Sequence, residues 1–231
     1  MEPGLRRAWT EIVQAEDYEQ HMAAVGQAQA AAKLTAWLME SAGLPQGCRI
    51  TIAGAGTGQM FDFLAPSVFA PYQLTCSDLN PAFLSKLGQR LEGYGLDARL
   101  VEDDIERTTL APGMDLLLAT LLLEHIDWRR GVKAFASLGP RFCGIILQEN
   151  PPGMTSAVTP GRVVPPSLAA AMEIGHATLV PREELIEAMA AEGYHCRATE
   201  FREVADGKRL AALLFVLVLP GGCAPMSPLL P

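Results

Sequence analysis

Short apolar runs alternate with longer amphipathic stretches over most of the chain. Runs of strand length and composition lie at residues 49–53, 72–77, 97–101, 114–120 and 142–148. Helical periodicity fills several of the intervals between them, for example over residues 81–93 and 127–138. Alternation of this kind favours a mostly parallel sheet with helices packed on both of its faces.

The two ends of the chain depart from this alternation. One amphipathic helix is predicted over residues 5–22 and a second, alanine-rich helix over residues 27–41. Near the other end, Pro181 opens a helix that two predicted strands follow, at residues 194–204 and 210–219. The turn between these strands makes them antiparallel, so we expect a mixed sheet of seven strands whose last strand is antiparallel.

The length of 231 residues fits one α/β domain. We therefore predict a single domain over residues 1–231, with an N-terminal helical cap over about residues 1–43. A lid-like insertion is predicted over about residues 150–180, because five prolines and two glycines lie between residues 150 and 166. Long loops in compact domains often serve as lids or binding loops.

Composition and charge exclude several classes of protein. Apolar residues make up 49% of the chain and charged residues 19%, which is enough apolar material for a folded core. The net charge of −8 and the lack of a long Lys/Arg cluster argue against a nucleic-acid partner. The longest apolar run, residues 210–219, is too short to cross a membrane. Five cysteines without CxxC spacing are typical of free thiols in a reducing compartment, so we predict a cytoplasmic protein.

A glycine-rich segment follows the first predicted strand. Gly54, Gly56 and Gly58 form the sequence Gly-Ala-Gly-Thr-Gly, and a helix is expected to begin near Gly58. Glycines let the backbone turn tightly and approach a ligand, and a helix N-terminus offers free N–H groups. Taken alone, such a turn serves packing as often as binding.

The position of Asp78 makes this signal more specific. It lies twenty residues after Gly58, at the end of the second predicted strand, where an acid can accept hydrogen bonds from ribose hydroxyls. A turn-forming acid before Asn80 and Pro81 is the alternative interpretation. The glycine spacing G-x-G-x-G differs from the dinucleotide fingerprint G-x-G-x-x-G, which disfavours an NAD(P)-dependent oxidoreductase without excluding it.

With these features, the sequence resembles the class I S-adenosylmethionine-dependent methyltransferases over roughly residues 35–219. Four segments carry the resemblance: Ile-Thr-Ile-Ala-Gly-Ala-Gly-Thr-Gly-Gln at residues 50–59, Cys-Ser-Asp-Leu-Asn-Pro at 76–81, Val-Glu-Asp-Asp-Ile-Glu at 101–106, and Asp-Leu-Leu-Leu-Ala-Thr-Leu-Leu-Leu-Glu-His-Ile at 115–126. The resemblance implies a Rossmann-like α/β fold and S-adenosyl-L-methionine as the cofactor.

The same resemblance implies a role for each matching residue. The residues implied to hold the methionine part of the cofactor are Gly54, Ala55, Gly56, Gly58 and Gln59. For the nucleoside part, Asp78 would hold the ribose, Leu79 would lie against the adenine, Asp104 would accept from the adenine amino group, and the Ile105 N–H would face a ring nitrogen. Thr120 and Leu121 would lie close to the sulfonium.

One departure from the family pattern matters. The family carries an acid two residues before the first glycine, where this sequence has Ile52, and that acid helps to shape the amino-acid end of the cofactor site. The alternative of a non-catalytic member, acting as a binding or partner protein, rests on this difference. In addition, Asp103 stands beside Asp104, and the family pattern favours Asp104 of the two.

The candidate catalytic base is His125, because histidine titrates near neutral pH and this one follows the fourth strand. A structural histidine at the start of the next helix is the competing interpretation. No metal is predicted: a Glu-x-x-Glu-His cation motif would need an acid where Leu121 stands.

The acceptor pocket is expected between the N-terminal helix and the segment after the fifth strand. The candidate acceptor-binding residues are Tyr18, His21, Glu149, Asn150 and His176. Their mostly apolar surroundings favour a small organic acceptor, methylated on oxygen, nitrogen or carbon. We therefore predict a small-molecule methyltransferase without nucleic-acid or membrane partners, and leave open whether it is a homodimer.

Overall fold

The structure is a computed structural model that describes residues 3–158, 163–175 and 177–218. Within these residues, seven strands form one sheet in the order β3-β2-β1-β4-β5-β7-β6. The strands are β1 (Arg49–Ala53), β2 (Gln73–Asp78), β3 (Ala98–Glu102), β4 (Leu116–Thr120), β5 (Phe142–Glu149), β6 (Tyr194–Glu203) and β7 (Arg209–Leu217).

Helices connect and cover these strands. The α-helices in the described residues are α1 (Pro3–Arg7), α2 (Ala15–Val25), α3 (Gln27–Ala42), α4 (Pro81–Gly93), α5 (Trp128–Leu138), α6 (Pro166–Ile174) and α7 (Arg182–Ala191). Local chemistry explains where two of them begin. The Asn80 side chain accepts hydrogen bonds from the N–H groups of Ala82 and Phe83, and the Asp127 side chain caps α5 in the same way.

The pairing of the strands confirms the predicted fold class. Strands β1 to β5 are paired parallel to one another, whereas β7 is antiparallel to both β5 and β6. The strand order reverses between β1 and β4, since the chain builds outward from β1 to β3 and then returns to the other side of β1. Open α/β sheets bind their ligands at the carboxyl ends of strands beside such a switch point.

The central strands of the sheet are buried on both faces, as a parallel sheet covered by helices must be. In β4, Leu116 and Leu118 pack into the core that contains α3 and α4, while Leu117 and Ala119 pack into the core that contains α5 and α7. The β7 strand alternates in the same way between the two cores.

The prediction of one helix over residues 5–22 was wrong. Helix α1 continues into a π-helical turn (Ala8–Ile12), after which Val13 and Gln14 are extended and α2 begins at Ala15. The backbone N–H of Gln14 donates to Ser167 Oγ of α6 at 3.0 Å, so a tertiary contact takes the place of a helical hydrogen bond. The break lets residues 3–14 fold back over the end of the sheet.

The expected helix after Gly58 is also absent from the described residues. Two short 3₁₀ turns, Gln59–Phe63 and Pro66–Val68, stand in its place. Phe61 and Phe69 are buried with ring centroids 5.4 Å apart, so these turns insert aromatic side chains into the core. The glycine-rich loop is therefore held by packing and side chains, without an α-helix directly after it.

In the described part of the chain, no helix is long and apolar enough to cross a membrane. Cys48, Cys76, Cys143 and Cys196 are free thiols, and two of them are fully buried in strands. Cys223 lies outside the described residues.

Candidate functional site

The glycine-rich loop leaves the carboxyl end of β1 in a conformation that favours glycine. Gly54, Gly56 and Gly58 have φ angles of +63°, +58° and +74°. A Cβ atom at Gly58 would lie 2.3 Å from Leu87 Cδ1 of α4, so this glycine also permits close packing. The loop thus places bare backbone at the switch point of the sheet.

Asp78 ends β2 and faces this loop. Its Oδ2 accepts a hydrogen bond from the Gly56 N–H at 2.8 Å, and its Oδ1 accepts from the Asn80 N–H at 2.9 Å. Burial raises the pKa of this carboxyl, against the backbone hydrogen bonds that lower it. Asp78 therefore fastens the glycine-rich loop to the end of β2.

The two acids after β3 differ in their contacts. Asp104 Oδ1 accepts from the Glu106 N–H at 3.1 Å, while its Oδ2 accepts from the guanidinium of Arg6. Asp103 Oδ1 accepts from the Thr109 N–H at 2.7 Å, and its buried Oδ2 has no hydrogen-bond partner among the described residues. Both acids line the same cavity.

We call this space the glycine-loop cavity, lying between the ends of β1, β2 and β4. It brings together most of the residues implied to bind the cofactor: Gly54, Gly56, Asp78, Leu79, Asp104, Ile105, Thr120 and Leu121. Its glycine backbone, its ribose-type acid and the unpartnered Asp103 Oδ2 fit a nucleoside ligand with hydroxyl and amino donors.

Three of the implied cofactor residues lie elsewhere. Ala55 packs against the α3 side of the core, and its N–H donates to the Ser77 carbonyl at 2.9 Å. Gly58 packs against Leu87, while Gln59 Nε2 donates to the carbonyl of Glu19 at 3.0 Å. Gln59 thus ties the loop to α2. Ile52, at the position of the usual family acid, is buried in the core.

The N-terminal segment, residues 3–14, covers the glycine-loop cavity. Trp9 lines the cavity, and its carbonyl accepts from Asn80 Nδ2 at 2.7 Å. Its ring meets those of Tyr18, Phe83 and His125 edge-on. Trp9 could not be predicted as a site residue, since nothing in the local sequence shows where the broken helix would fold.

A second, larger space lies beside the first; we call it the apolar cavity. It holds about 1190 Å³ of empty space, counting its open mouth. Side chains from the N-terminal segment, α2 and α6 line part of its wall, including Val13, Met22, Leu168 and Met172. The predicted acceptor residues Tyr18 and His21 both line it, one helical turn apart on α2.

The other predicted acceptor residues are placed differently. Glu149 accepts hydrogen bonds from Arg182 Nε at 2.8 Å and Arg209 Nε at 2.7 Å, away from the cavity. Asn150 Nδ2 donates to the carbonyls of Met154 and Ser156, so this residue shapes the loop after β5. His176 lies outside the described residues.

His125 stands at the junction of the two cavities, in a 3₁₀ turn (Leu123–His125) after β4. Burial lowers the pKa of its imidazole to about 4, so the ring is neutral at pH 7. Its ring centroid lies 4.7 Å from that of Trp9. A neutral imidazole there can accept or donate a hydrogen bond, but its low pKa makes it a weak base.

The neighbouring Glu124 is a titratable group of the apolar cavity that was not predicted as a site residue. Burial raises the pKa of its carboxyl to about 7, and its Oε1 accepts from the Gln148 N–H at 2.8 Å. The Leu-Glu-His-Ile segment contains this acid directly before the predicted base His125.

The two cavities share a wall made of Trp9, Tyr18, Leu121 and His125. Leu121 has a φ angle of +52°, which is uncommon for a residue with a side chain. Strained backbone of this kind clusters at ligand sites. Because the two cavities share this wall, a ligand in one cavity would lie directly beside a ligand in the other.

Among the described residues, no group of three or more His, Cys, Asp or Glu side chains is arranged to hold a metal ion.

Residues 50–139 match the family model described as a methyltransferase domain. The matched region includes the glycine-rich loop, Asp78, Asp103, Asp104 and His125. No curated protein matches the chain.

Solved structures share the fold at low sequence identity. The chain is similar to the magnesium protoporphyrin IX methyltransferase (ChlM) of Synechocystis PCC 6803 with bound SAM, at 17% identity over 93% of this chain and 90% of that chain, with a TM-score of 0.62. It is also similar to the [4+2]-cyclase SpnF, at 15% identity over 83% and 82% of the two chains, with a TM-score of 0.64.

A third similar structure is the geranyl diphosphate C-methyltransferase of Streptomyces coelicolor A3(2), at 13% identity over 80% of this chain and 78% of that chain, with a TM-score of 0.59. Residues 50–139 therefore match a methyltransferase domain, and the described residues share their fold with S-adenosylmethionine-dependent methyltransferases of known structure.

Proposed function

We propose that this protein transfers a methyl group from S-adenosylmethionine to a small, mostly apolar organic acceptor. The observation that carries the proposal is the shared wall: the glycine-loop cavity, which contains Asp78, Asp103 and Asp104, adjoins the larger apolar cavity through four residues, Trp9, Tyr18, Leu121 and His125. Methyl transfer needs two ligands held side by side and shielded from water.

The assignment of roles follows the two cavities. Gly54, Gly56, Asp78, Leu79, Asp104, Ile105, Thr120 and Leu121 would hold the cofactor, which supplies an activated methyl group when bound. Because the electrophile is already activated, the protein's part is to orient both ligands and exclude water. The half-buried side chains of Tyr18 and His125 at the shared wall contribute to that exclusion.

The small acceptor class is supported by the wall of the apolar cavity and by two of the similar proteins. ChlM is named as a methyltransferase of magnesium protoporphyrin IX, and the Streptomyces protein as one of geranyl diphosphate. Both named substrates carry large apolar parts. The net charge of −8 argues against nucleic acid as the acceptor.

Calorimetric titration with S-adenosylhomocysteine tests the proposal. We expect saturable binding to the wild type, at least tenfold weaker in Asp78→Asn, and no binding of NAD or NADP. The tenfold loss corresponds to about 1.4 kcal/mol, within the range for hydrogen bonds to a charged group. Asp97→Asn, an exposed acid before β3, is the matched control and should bind as the wild type does.

A second candidate is a non-catalytic member of the fold. Two observations favour it: Asp104, implied to accept from adenine, is held by Arg6, and the usual acid at the position of Ile52 is missing. SpnF, named as a [4+2]-cyclase, shows that the fold accommodates other activities. Absence of S-adenosylhomocysteine binding would favour this candidate; binding of NAD in its place would favour an oxidoreductase.

A further inference from the structure

One carboxylate oxygen in the wall of the apolar cavity has no partner. Glu124 is only 4% exposed, and its Oε1 accepts from the Gln148 N–H at 2.8 Å. Its Oε2 is buried and has no hydrogen-bond partner among the described residues. A buried oxygen left in this state costs free energy, and such groups are rare unless they serve a ligand or a reaction.

In the neighbouring Gln148 side chain, both the amide nitrogen and the amide oxygen have hydrogen-bond partners. Gln148 Nε2 donates to Asn150 Oδ1 and to the Ala157 carbonyl, both at 2.9 Å, while its Oε1 accepts from Gln27 Nε2 at 2.7 Å. Gln148 therefore joins β5 to α3 and to the loop after β5. Among the described residues at this end of the cavity, Glu124 Oε2 is a buried acceptor atom without a hydrogen-bond partner.

Other polar groups line the same cavity. Lys208 Nζ donates to the Ala157 carbonyl at 2.7 Å, and His21, His125 and Asp206 also contribute to the wall. The remaining wall is dominated by aliphatic, methionine and aromatic side chains. A ligand that fits must therefore present a largely apolar body and few polar groups.

We propose that Glu124 Oε2 binds the methyl acceptor by accepting a hydrogen bond from a hydroxyl or amine N–H carried on an otherwise apolar molecule. The inference rests on the proposed function, since it names the class of acceptor for that site. Glu124 lines the apolar cavity and directly precedes His125, which lines both cavities.

In the same contact, Glu124 Oε2 can also act as the acceptor of the donor group's proton. A proton released by the bound hydroxyl or amine passes to Oε2, and its electron pair stays on the oxygen or nitrogen. A carboxyl whose pKa is about 7 is well matched to receive a proton near neutral pH. The imidazole of His125, with a pKa of about 4, is the weaker base of the two.

Two probes that differ by one hydroxyl test the proposal. We would measure the binding of 2-naphthol and of naphthalene by calorimetry, for the wild type and for Glu124→Gln. Glutamine keeps an oxygen for the Gln148 N–H and nearly the same volume, but it places a donor where Oε2 was. We expect the wild type to prefer 2-naphthol by about tenfold and the variant by less than twofold.

Glu187→Gln, an exposed substitution on α7, is the matched control and should keep the wild-type preference. If the wild type and Glu124→Gln preferred 2-naphthol over naphthalene by the same factor, the proposal would be overturned. It would also be overturned if the wild type bound both probes equally tightly, or if it bound neither probe.

S-Adenosylhomocysteine binding, measured on the same samples, separates this inference from the proposed function. We expect Glu124→Gln to bind it within twofold of the wild type, because Glu124 does not line the glycine-loop cavity. A wild type that prefers 2-naphthol but does not bind S-adenosylhomocysteine would support the donor contact at Glu124 and overturn its link to methylation.

Discussion

The guanidinium of Arg6 donates a hydrogen bond to Asp104 Oδ2, joining two residues that are 98 positions apart in the sequence. Asp104 is largely buried, whereas Arg6 is partly exposed. The contact holds the N-terminal segment against the glycine-loop cavity, together with the hydrogen bond from Asn80 to the Trp9 carbonyl. Residues 3–14 thus form a cover that a ligand must pass or displace.

Removing this contact should speed the entry of the ligand. We expect Arg6→Ala to raise the association rate constant of S-adenosylhomocysteine about fivefold, since a partly exposed ion pair contributes about 1 kcal/mol. Stopped-flow tryptophan fluorescence can follow the reaction, because Trp9 lines the cavity. Arg7→Ala is the control: Arg7 is exposed and pairs with Glu11. Slower association in Arg6→Ala would show that Arg6 is part of the binding surface.

The glycine-rich loop should tolerate alanine poorly at Gly58. Both Gly58→Ala and Gly26→Ala place a side chain at positive φ, +74° and +70°, which costs about 1 kcal/mol. At Gly58 the new Cβ would also lie 2.3 Å from Leu87 Cδ1, whereas Gly26 has open space around it. We expect urea unfolding to show a loss of about 3 kcal/mol at Gly58 and about 1 kcal/mol at Gly26. Similar losses at both sites would contradict the close packing.

Glu124 should make the stability of the wild type fall as pH rises. Its pKa is raised from 4.5 to about 7 in the folded state, so the folded protein binds more protons than the unfolded chain between these values. The free energy of unfolding therefore declines across that window, by an amount on the order of 2 kcal/mol. Glu124→Gln should lack this decline when both proteins are unfolded in urea at pH 4.5, 6 and 7.5. Parallel pH profiles would refute the buried-carboxyl assignment.

His125 should make the stability of the wild type fall as the pH drops, the opposite of the effect of Glu124. Burial lowers its pKa from 6.5 to about 4, so the unfolded chain binds the extra proton between these values and stability falls as the pH drops. We expect His125→Asn to lose less stability than the wild type on acidification from pH 7 to pH 4.5, by on the order of 2 kcal/mol. Thermal unfolding at several pH values measures this difference in stability, and His195→Asn on the edge strand β6 is the control. A profile unchanged by His125→Asn would place the imidazole in contact with water.

The sheet could be predicted closely from the sequence because the pattern of apolar residues in a strand depends on how that strand is buried. Continuous apolar runs such as the one ending at Thr120 are typical of strands buried on both faces, and each strand was located within two residues of its observed ends. The glycine-rich loop and Asp78 were predictable for a related reason, since both lie at the carboxyl ends of predicted strands, where open α/β sheets bind their ligands.

The cover over the site could not be predicted, because long-range contacts decide its shape. The break at Val13 and Gln14 depends on Ser167, and the position of Arg6 depends on Asp104. Local amphipathic periodicity continues through the break without a signal. The difference between Glu124 and His125 is likewise a matter of burial and of one hydrogen bond to Gln148, neither of which the motif records.

Trp9 belongs to the walls of both cavities, and this gives the two ligands a thermodynamic connection. Any shift of its ring that accommodates one ligand changes the space left for the other. Such coupling is reciprocal: the factor by which the nucleoside ligand changes the affinity for the acceptor must equal the factor by which the acceptor changes the affinity for the nucleoside. Closing that cycle with four measured dissociation constants, in the wild type and in Trp9→Ala, would give the free energy that a single indole carries between the sites.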